Sequence, residues 1–229
     1  RRMSLVGALK SIQSKIELSQ KRGGFSCPVQ LVAVTKTHPF SFIQLCYDSG
    51  IKSIGENRIQ EAAQKFETFE NMPNIKRRFI GHLQTNKVNK CLELFDTIDS
   101  VDSLKLAKKI SKAAKRAHKT ISVLLEINTS GEPQKHGFLS NQQDEIIDCF
   151  NETNINIEGF MTVGPRTTDV GKIRASFIQL RELRDSVNQK TPQQKMKELS
   201  MGMSSDYEIA VEEGATMIRL GSLLFGNRA

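Results

Sequence analysis

The chain has 229 residues, 38% of them hydrophobic and 25% charged, and its 33 lysines and arginines outweigh 25 aspartates and glutamates to leave a net charge of +8. That balance suits one globular domain that buries its core without metals or crosslinks. No stretch approaches a membrane span, and Met3 to Leu18 is broken by Lys10 and Lys15 as a signal-peptide core would not be. A cytoplasmic protein with no membrane contact is expected, its single domain covering residues 3–229, with Arg1 and Arg2 set aside.

Hydrophobic periodicity divides the rest into short apolar strands alternating with amphipathic helices. A helix over Ser4 to Lys21 precedes any strand. A strand over Gln30 to Thr35 leads to a helix from Pro39 to Ser49, and a strand over Ile51 to Gly55 to a helix from Arg58 to Phe69. Next come a strand at Lys76 to Ile80 with a helix at Asn86 to Leu94, and a strand at Asp96 to Ile98 with the basic helix of Lys105 to Lys119. The β-branched run Ile121 to Ile127 is the clearest strand. A helix at Gln142 to Asn151, a strand at Ile155 to Met161 and a helix at Val170 to Val187 follow it. The chain then offers a strand at Glu198 to Met201, a helix at Ser205 to Glu213 and a last strand at Thr216 to Leu220. Strict alternation demands a parallel sheet, and eight units in this length favour a closed (β/α)8 TIM barrel with an extra N-terminal helix over an open doubly wound sheet.

The basic helix alternates its lysines with Leu106, Ala107, Ile110 and Ala114, the pattern of a solvated helix face. With no tryptophan and two tyrosines, the basic surface lacks the stacking residues of single-strand binders, so no nucleic-acid partner is expected. Cys27, Cys46, Cys91 and Cys149 are scattered, with no C-x-x-C pair and no histidine at metal-ligand spacing; they read as reduced thiols, with no metal.

In such a barrel the chemistry collects on the loops after the strands. Lys36 ends the first apolar strand, where loss of water favours a neutral amine, a nucleophile for aldehydes; the alternative is a stem packed on the rim with its charge in solvent. Ser204 and Ser205 follow the seventh strand and read as a helix start, Glu208 completing a capping box. Gly221 and Ser222 follow the eighth, where glycine lets the main chain approach an anion and serine adds a donor. Arg219 points opposite to Ile218 and Leu220, so it enters the barrel, to meet either a carboxylate or a ring nitrogen of a bound cofactor. An amine, an anion cradle and an inward arginine on one mouth suit an aldehyde that carries a phosphate and a pyridine ring.

These residues lie in segments that resemble the pyridoxal 5'-phosphate (PLP) homeostasis family: Ala33-Val34-Thr35-Lys36, the run from Gly55 to Glu61, the run from Phe79 to Lys87, Gly159-Phe160-Met161, and Leu199 to Ser204 running on to Gly214, Arg219-Leu220-Gly221 and Phe225-Gly226. The resemblance implies the PLP barrel shared with the N-terminal domain of alanine racemase. It also implies a Schiff base from Lys36 to PLP, Arg219 near the pyridine nitrogen, and phosphate held by Ser204, Gly221 and Ser222, with Asn57, His82 and Met201 lining the pocket near the ring. Members commonly carry Trp-His before Phe-Ile-Gly where this chain has Arg77-Arg78, and Ser where it has Thr35; the basic pair bears on local surface and partner contacts.

Two functions fit such a cofactor site. Racemisation needs acid–base groups on both faces of the substrate carbon. Racemases of this barrel take the second from a tyrosine on a further β domain, whereas here the chain ends soon after the last strand, with Tyr47 and Tyr207 inside helices. A non-catalytic, monomeric PLP carrier that stores, protects or delivers the cofactor, with apo-PLP enzymes as partners, is therefore expected, with an amino-acid racemase as the alternative.

Overall fold

A computed structural model describes residues 4–133 and 135–226; Met3 and residues 227–229 of the expected domain lie outside the described residues. Among the described residues nine strands form: β1 (Gln30–Val34), β2 (Ser53–Glu56), β3 (Lys76–Phe79), β4 (Thr97–Val101), β5 (Ile121–Asn128), β6 (Phe138–Leu139), β7 (Ile155–Met161), β8 (Glu198–Ser200) and β9 (Met217–Leu220). All pairings are parallel. The order runs β4-β3-β2-β1-β9-β8-β7-β5, and pairing of β4 with β5 closes the ring into an eight-stranded barrel, with β6 added to the end of β5. The alternating pattern thus yields the expected (β/α)8 barrel.

Around it run α1 (Leu5–Gly23), α2 (Phe40–Asp48), α3 (Ile59–Lys65), α4 (Val88–Leu94), α5 (Leu104–Arg116), α6 (Gln143–Asp148), α7 (Val170–Lys190), α8 (Tyr207–Glu212) and α9 (Ser222–Phe225). The extra helix α1 starts at Ser4, whose hydroxyl accepts from the Gly7 N–H, and ends at Gly24 in the left-handed region (φ 77°). It packs along α8 and α9, and Arg22 holds Glu212 at 2.9 Å. On α5 the buried face is Leu106, Ala107, Ile110, Ala113 and Ala114, and Lys105, Lys108, Lys109, Lys112 and Lys115 are exposed, the solvated face that its periodicity implies.

Period-two alternation sorts the strand residues into two layers. One side chain set, including Ala33, Ile54, Phe79, Ile98, Leu125, Phe160, Leu199 and Ile218, packs under the helices. The other faces the barrel axis, where a small apolar cluster of Val32, Leu124, Met161 and Met217 fills part of the space. Polar side chains share this space. Arg78 reaches both carboxylate oxygens of Asp99 at 3.4 Å and the Ser53 hydroxyl at 3.5 Å, and the Thr97 hydroxyl donates to Asp99 at 2.8 Å. Burial raises the Asp99 carboxyl pKa, and Arg78 beside it pulls the other way.

This corrects the reading of Arg77-Arg78 as a basic surface pair. Alternation turns Arg78 inward, and Arg77 is satisfied at the rim by a two-pronged bond to Asp96 (3.1 and 3.0 Å) while lying over the Phe69 ring. All four cysteines are unpaired, and Cys46, Cys91 and Cys149 are buried. Burial pushes the Cys46 and Cys149 thiols up to about 12, which removes them as nucleophiles. No helix among the described residues is long and apolar enough to cross a membrane.

Candidate functional site

Lys36 is half-buried just beyond β1, and its two neighbours are pinned. The Thr35 N–H donates to the Gly55 carbonyl on β2, and its buried hydroxyl donates to the Glu56 carboxylate. Lys65 on α3, almost fully enclosed, holds that carboxylate at 2.7 Å and donates to the Thr35 carbonyl at 3.0 Å. On the other side Thr37 takes a left-handed turn (φ 65°), and its N–H donates to both oxygens of Glu61 at 3.0 Å. The lysine therefore projects from a backbone held on both sides. Lys65 and Glu61 are functional supports that sequence reasoning passes over: their spacing marks them as helix residues, and only the fold brings α3 back to the end of β1.

Lys36 faces a cavity of about 500 Å³ whose wall also includes Val34, His38, Ser204, Ser205, Arg219, Gly221 and Ser222. Five of the expected cofactor residues, Lys36, Ser204, Arg219, Gly221 and Ser222, thus converge on one space. Three lie off its wall. Asn57 is half-buried beyond β2, Met201 is fully buried in the layer under the helices, and His82 is exposed after β3, where it faces Asp102. Met201 is one register position away from the inward Ser200, which explains its outward direction. His38, absent from the expected set, joins the wall and packs its ring against Phe42 and Phe225, each at 4.7 Å.

Arg219 enters the barrel as alternation requires and is almost fully buried. Its guanidinium donates to the Ser200 hydroxyl and the Thr162 carbonyl, each at 2.8 Å. Burial lowers its pKa; the charges of Glu126, Asp99 and Asp206 oppose that effect. The partners in hydrogen-bond contact are thus neutral, with carboxylates balancing the charge from further away.

The capping reading of Ser204 and Ser205 gives way to another arrangement. Helix α8 begins at Tyr207 with Asp206 as its cap residue, and the Asp206 carboxylate accepts from the Met203 N–H at 2.7 Å. Glu208 instead reaches towards Lys15 and Arg22 of α1. Both serines are left in the turn that lines the cavity. Gly202 makes that turn possible: its φ is 101°, and an added Cβ would stand 2.7 Å from the Ala210 Cβ.

Gly221 tests whether this wall suits a phosphate. Its φ lies outside the left-handed region, and a Cβ would meet only ordinary contacts at 3.4 Å or more, the nearest being the Val34 carbonyl oxygen. The protein's own packing does not demand glycine there. A Cβ would instead take up space beside Val34, on the cavity wall, where an anion can approach the main chain. With an amine and a guanidinium on the same wall and serine hydroxyls on the rim, the residues fit a phosphorylated aromatic aldehyde.

Glu126 on β5 contributes a measurable charge effect. Burial, and secondarily the Asp102 charge, push its pKa up to about 7, while Arg219 and Lys135 pull it down. The folded chain therefore holds a proton there that the unfolded chain has released, and stability falls as pH rises from about 4.5 to about 7. Glu126→Gln removes this term. The stability of the native chain relative to the variant is expected to drop by roughly 1–3 kcal/mol across that window in urea titrations at stepped pH.

The family described as "Alanine racemase, N-terminal domain" matches residues 8–229. A "Pyridoxal phosphate homeostasis protein" of Aquifex aeolicus is 37% identical over 229 residues, 99% of either chain, and one of Synechocystis is 40% identical over 206 residues, 87% of this chain and 92% of the relative. Among solved structures, PipY of Synechococcus elongatus with PLP bound superposes with a TM-score of 0.86 at 34% identity, covering 97% of this chain and all of that one. Barrel, cavity and full-length similarity agree, and the chain belongs to the pyridoxal phosphate homeostasis protein family, built on the alanine racemase N-terminal domain.

Proposed function

We propose that this chain binds PLP in the Lys36 cavity and serves PLP homeostasis as a non-catalytic, monomeric carrier that stores, protects or delivers the cofactor to apo-PLP enzymes. The observation that carries this is the meeting of Lys36, Arg219 and the Ser204, Gly221 and Ser222 cradle on one cavity. That PipY, a full-length relative, has been solved with PLP bound supports the same ligand.

PLP supplies an aldehyde joined to a pyridine electron sink. Lys36 would hold the aldehyde end, its position set by the pinned Thr35 and Thr37. Ser204, Ser222 and the main chain at Gly221 would hold the phosphate. Arg219, the residue proposed for the pyridine nitrogen, offers only donors, so it would disfavour a proton on that nitrogen and weaken the electron sink. Fixed by Ser200 and Thr162, it has little freedom to do otherwise.

Neither tyrosine supports the racemase reading. The Tyr47 hydroxyl donates to the Pro73 carbonyl at 2.8 Å, and Tyr207 is buried at the start of α8; neither lines the Lys36 cavity. Incubated with PLP and alanine in deuterated water, the protein is expected to show no racemase-level exchange at the alanine Cα. Exchange at such a rate, lost in Lys36→Ala, would establish an enzyme.

A further inference from the structure

We propose that His82, Asp102 and His136 form a site for one divalent d-block cation of the zinc class at the mouth of the barrel. The three residues follow β3, β4 and β5, which are neighbours in the closed sheet, so the fold brings together side chains far apart in sequence. One Asp102 carboxylate oxygen lies 3.3 Å from His82 Nδ1 and 3.7 Å from His136 Nδ1. One ligand atom from each of the three residues falls within 4.8 Å of the others. Tetrahedral zinc with bonds of about 2.0–2.1 Å separates its ligand atoms by roughly 3.3–3.5 Å. The two measured edges already match that figure to within a few tenths of an ångström, so capture of an ion asks for small side-chain shifts.

The chemistry of the set narrows the ion. Two imidazoles and a carboxylate suit zinc, cobalt, nickel or copper, whereas magnesium and calcium call for all-oxygen shells. The imidazoles lie almost parallel, 11° apart with centroids at 3.9 Å. Asp102 is only 14% exposed and holds its carboxylate against both rings, while the rings are about half exposed and leave a path from solvent. Three protein ligands leave a fourth position for water or for a donor atom from a ligand, the pattern of an open site.

His82 thereby acquires a role apart from the PLP cavity, whose wall it does not join. The site does not depend on Lys36. Its histidines escape sequence inspection because metal spacing is recognised along one helix or loop, and here each ligand comes from a different strand end.

The test uses the full-length, tag-free protein, stripped with chelator and titrated with zinc chloride by calorimetry, then with cobalt chloride in a spectrophotometer. The expected result is one zinc per chain and a visible cobalt absorption of tetrahedral type, both retained in Lys36→Ala. His136→Ala and Asp102→Asn are expected to lose affinity by on the order of 10–100-fold or more and to lose the cobalt band. Thermal unfolding of His136→Ala without metal should match the native chain, since His136 is on an exposed loop. No saturable zinc binding by the native chain would overturn the proposal, and so would binding of unchanged affinity in the His82→Ala, His136→Ala double variant, which would place the metal on other groups such as Cys27.

Discussion

Asp99→Ala is expected to cost about 3–5 kcal/mol of folding stability, because it strands a buried guanidinium rather than merely deleting a contact. Arg78 is 4% exposed and Asp99 fully enclosed, so no water replaces the lost carboxylate. Thr97 loses its acceptor as well, and Arg219 loses one of the negative charges that offset its burial. The loss should appear as a lower urea midpoint with an unchanged slope. Arg78→Met combined with Asp99→Leu removes both charges together and is expected to cost much less than the single change. If Asp99→Ala shifts stability by less than about 0.5 kcal/mol, the usual size of a surface change, Arg78 is not held inside the barrel as described.

The second large effect concerns the phosphate. Replacing Ser204 and Ser222 together with alanine is expected to weaken PLP binding by about 100-fold or more, since a hydrogen bond to a charged group contributes roughly 1.5–3 kcal/mol and each 1.4 kcal/mol is tenfold. Neither hydroxyl caps a helix: α8 follows Asp206 and α9 follows Gly221, neither with a side-chain cap bond, and Ser222 is exposed. Stability should therefore hold while affinity falls. Pyridoxal, which has the aldehyde and ring but no phosphate, makes the comparison specific, because native and variant proteins should bind it equally. A variant that binds PLP as tightly as the native chain would move the phosphate elsewhere.

The barrel was legible in the sequence because each strand is an apolar run and each helix an amphipathic one, so two periods alternate along the chain. What escaped is short or set by tertiary contact. Two residues of β6 and four of α9 are too few to show a period. The helix expected over Arg58 to Phe69 stops at Lys65, where Phe66 turns extended (ψ 128°) and its ring meets Phe69 and Phe95 edge-on.

The site divides the same way. Lys36, Arg219, Gly221 and Ser222 could be placed because they sit at strand ends or within a strand, where position determines direction. Asn57, His82 and Met201 came from family likeness, which identifies a segment and leaves side-chain direction open. Met201 faces the helices, and His82 turns to Asp102. The serine cap failed for a local reason: Asp206 stands directly before α8, and its carboxylate takes the Met203 N–H. Arg77-Arg78 read as a surface pair only while strand alternation was left out of account, since neighbours on a strand must point to opposite faces.

The central claim is that Lys36 is the residue that holds PLP. It is tested most directly by incubating the purified protein with PLP, reducing with borohydride, and mapping the modified lysine by peptide mass spectrometry. The expected result is a pyridoxyl group on Lys36 and its disappearance in Lys36→Ala. Modification scattered over surface lysines such as those of α5, or none at all, would contradict the assignment while leaving the barrel intact.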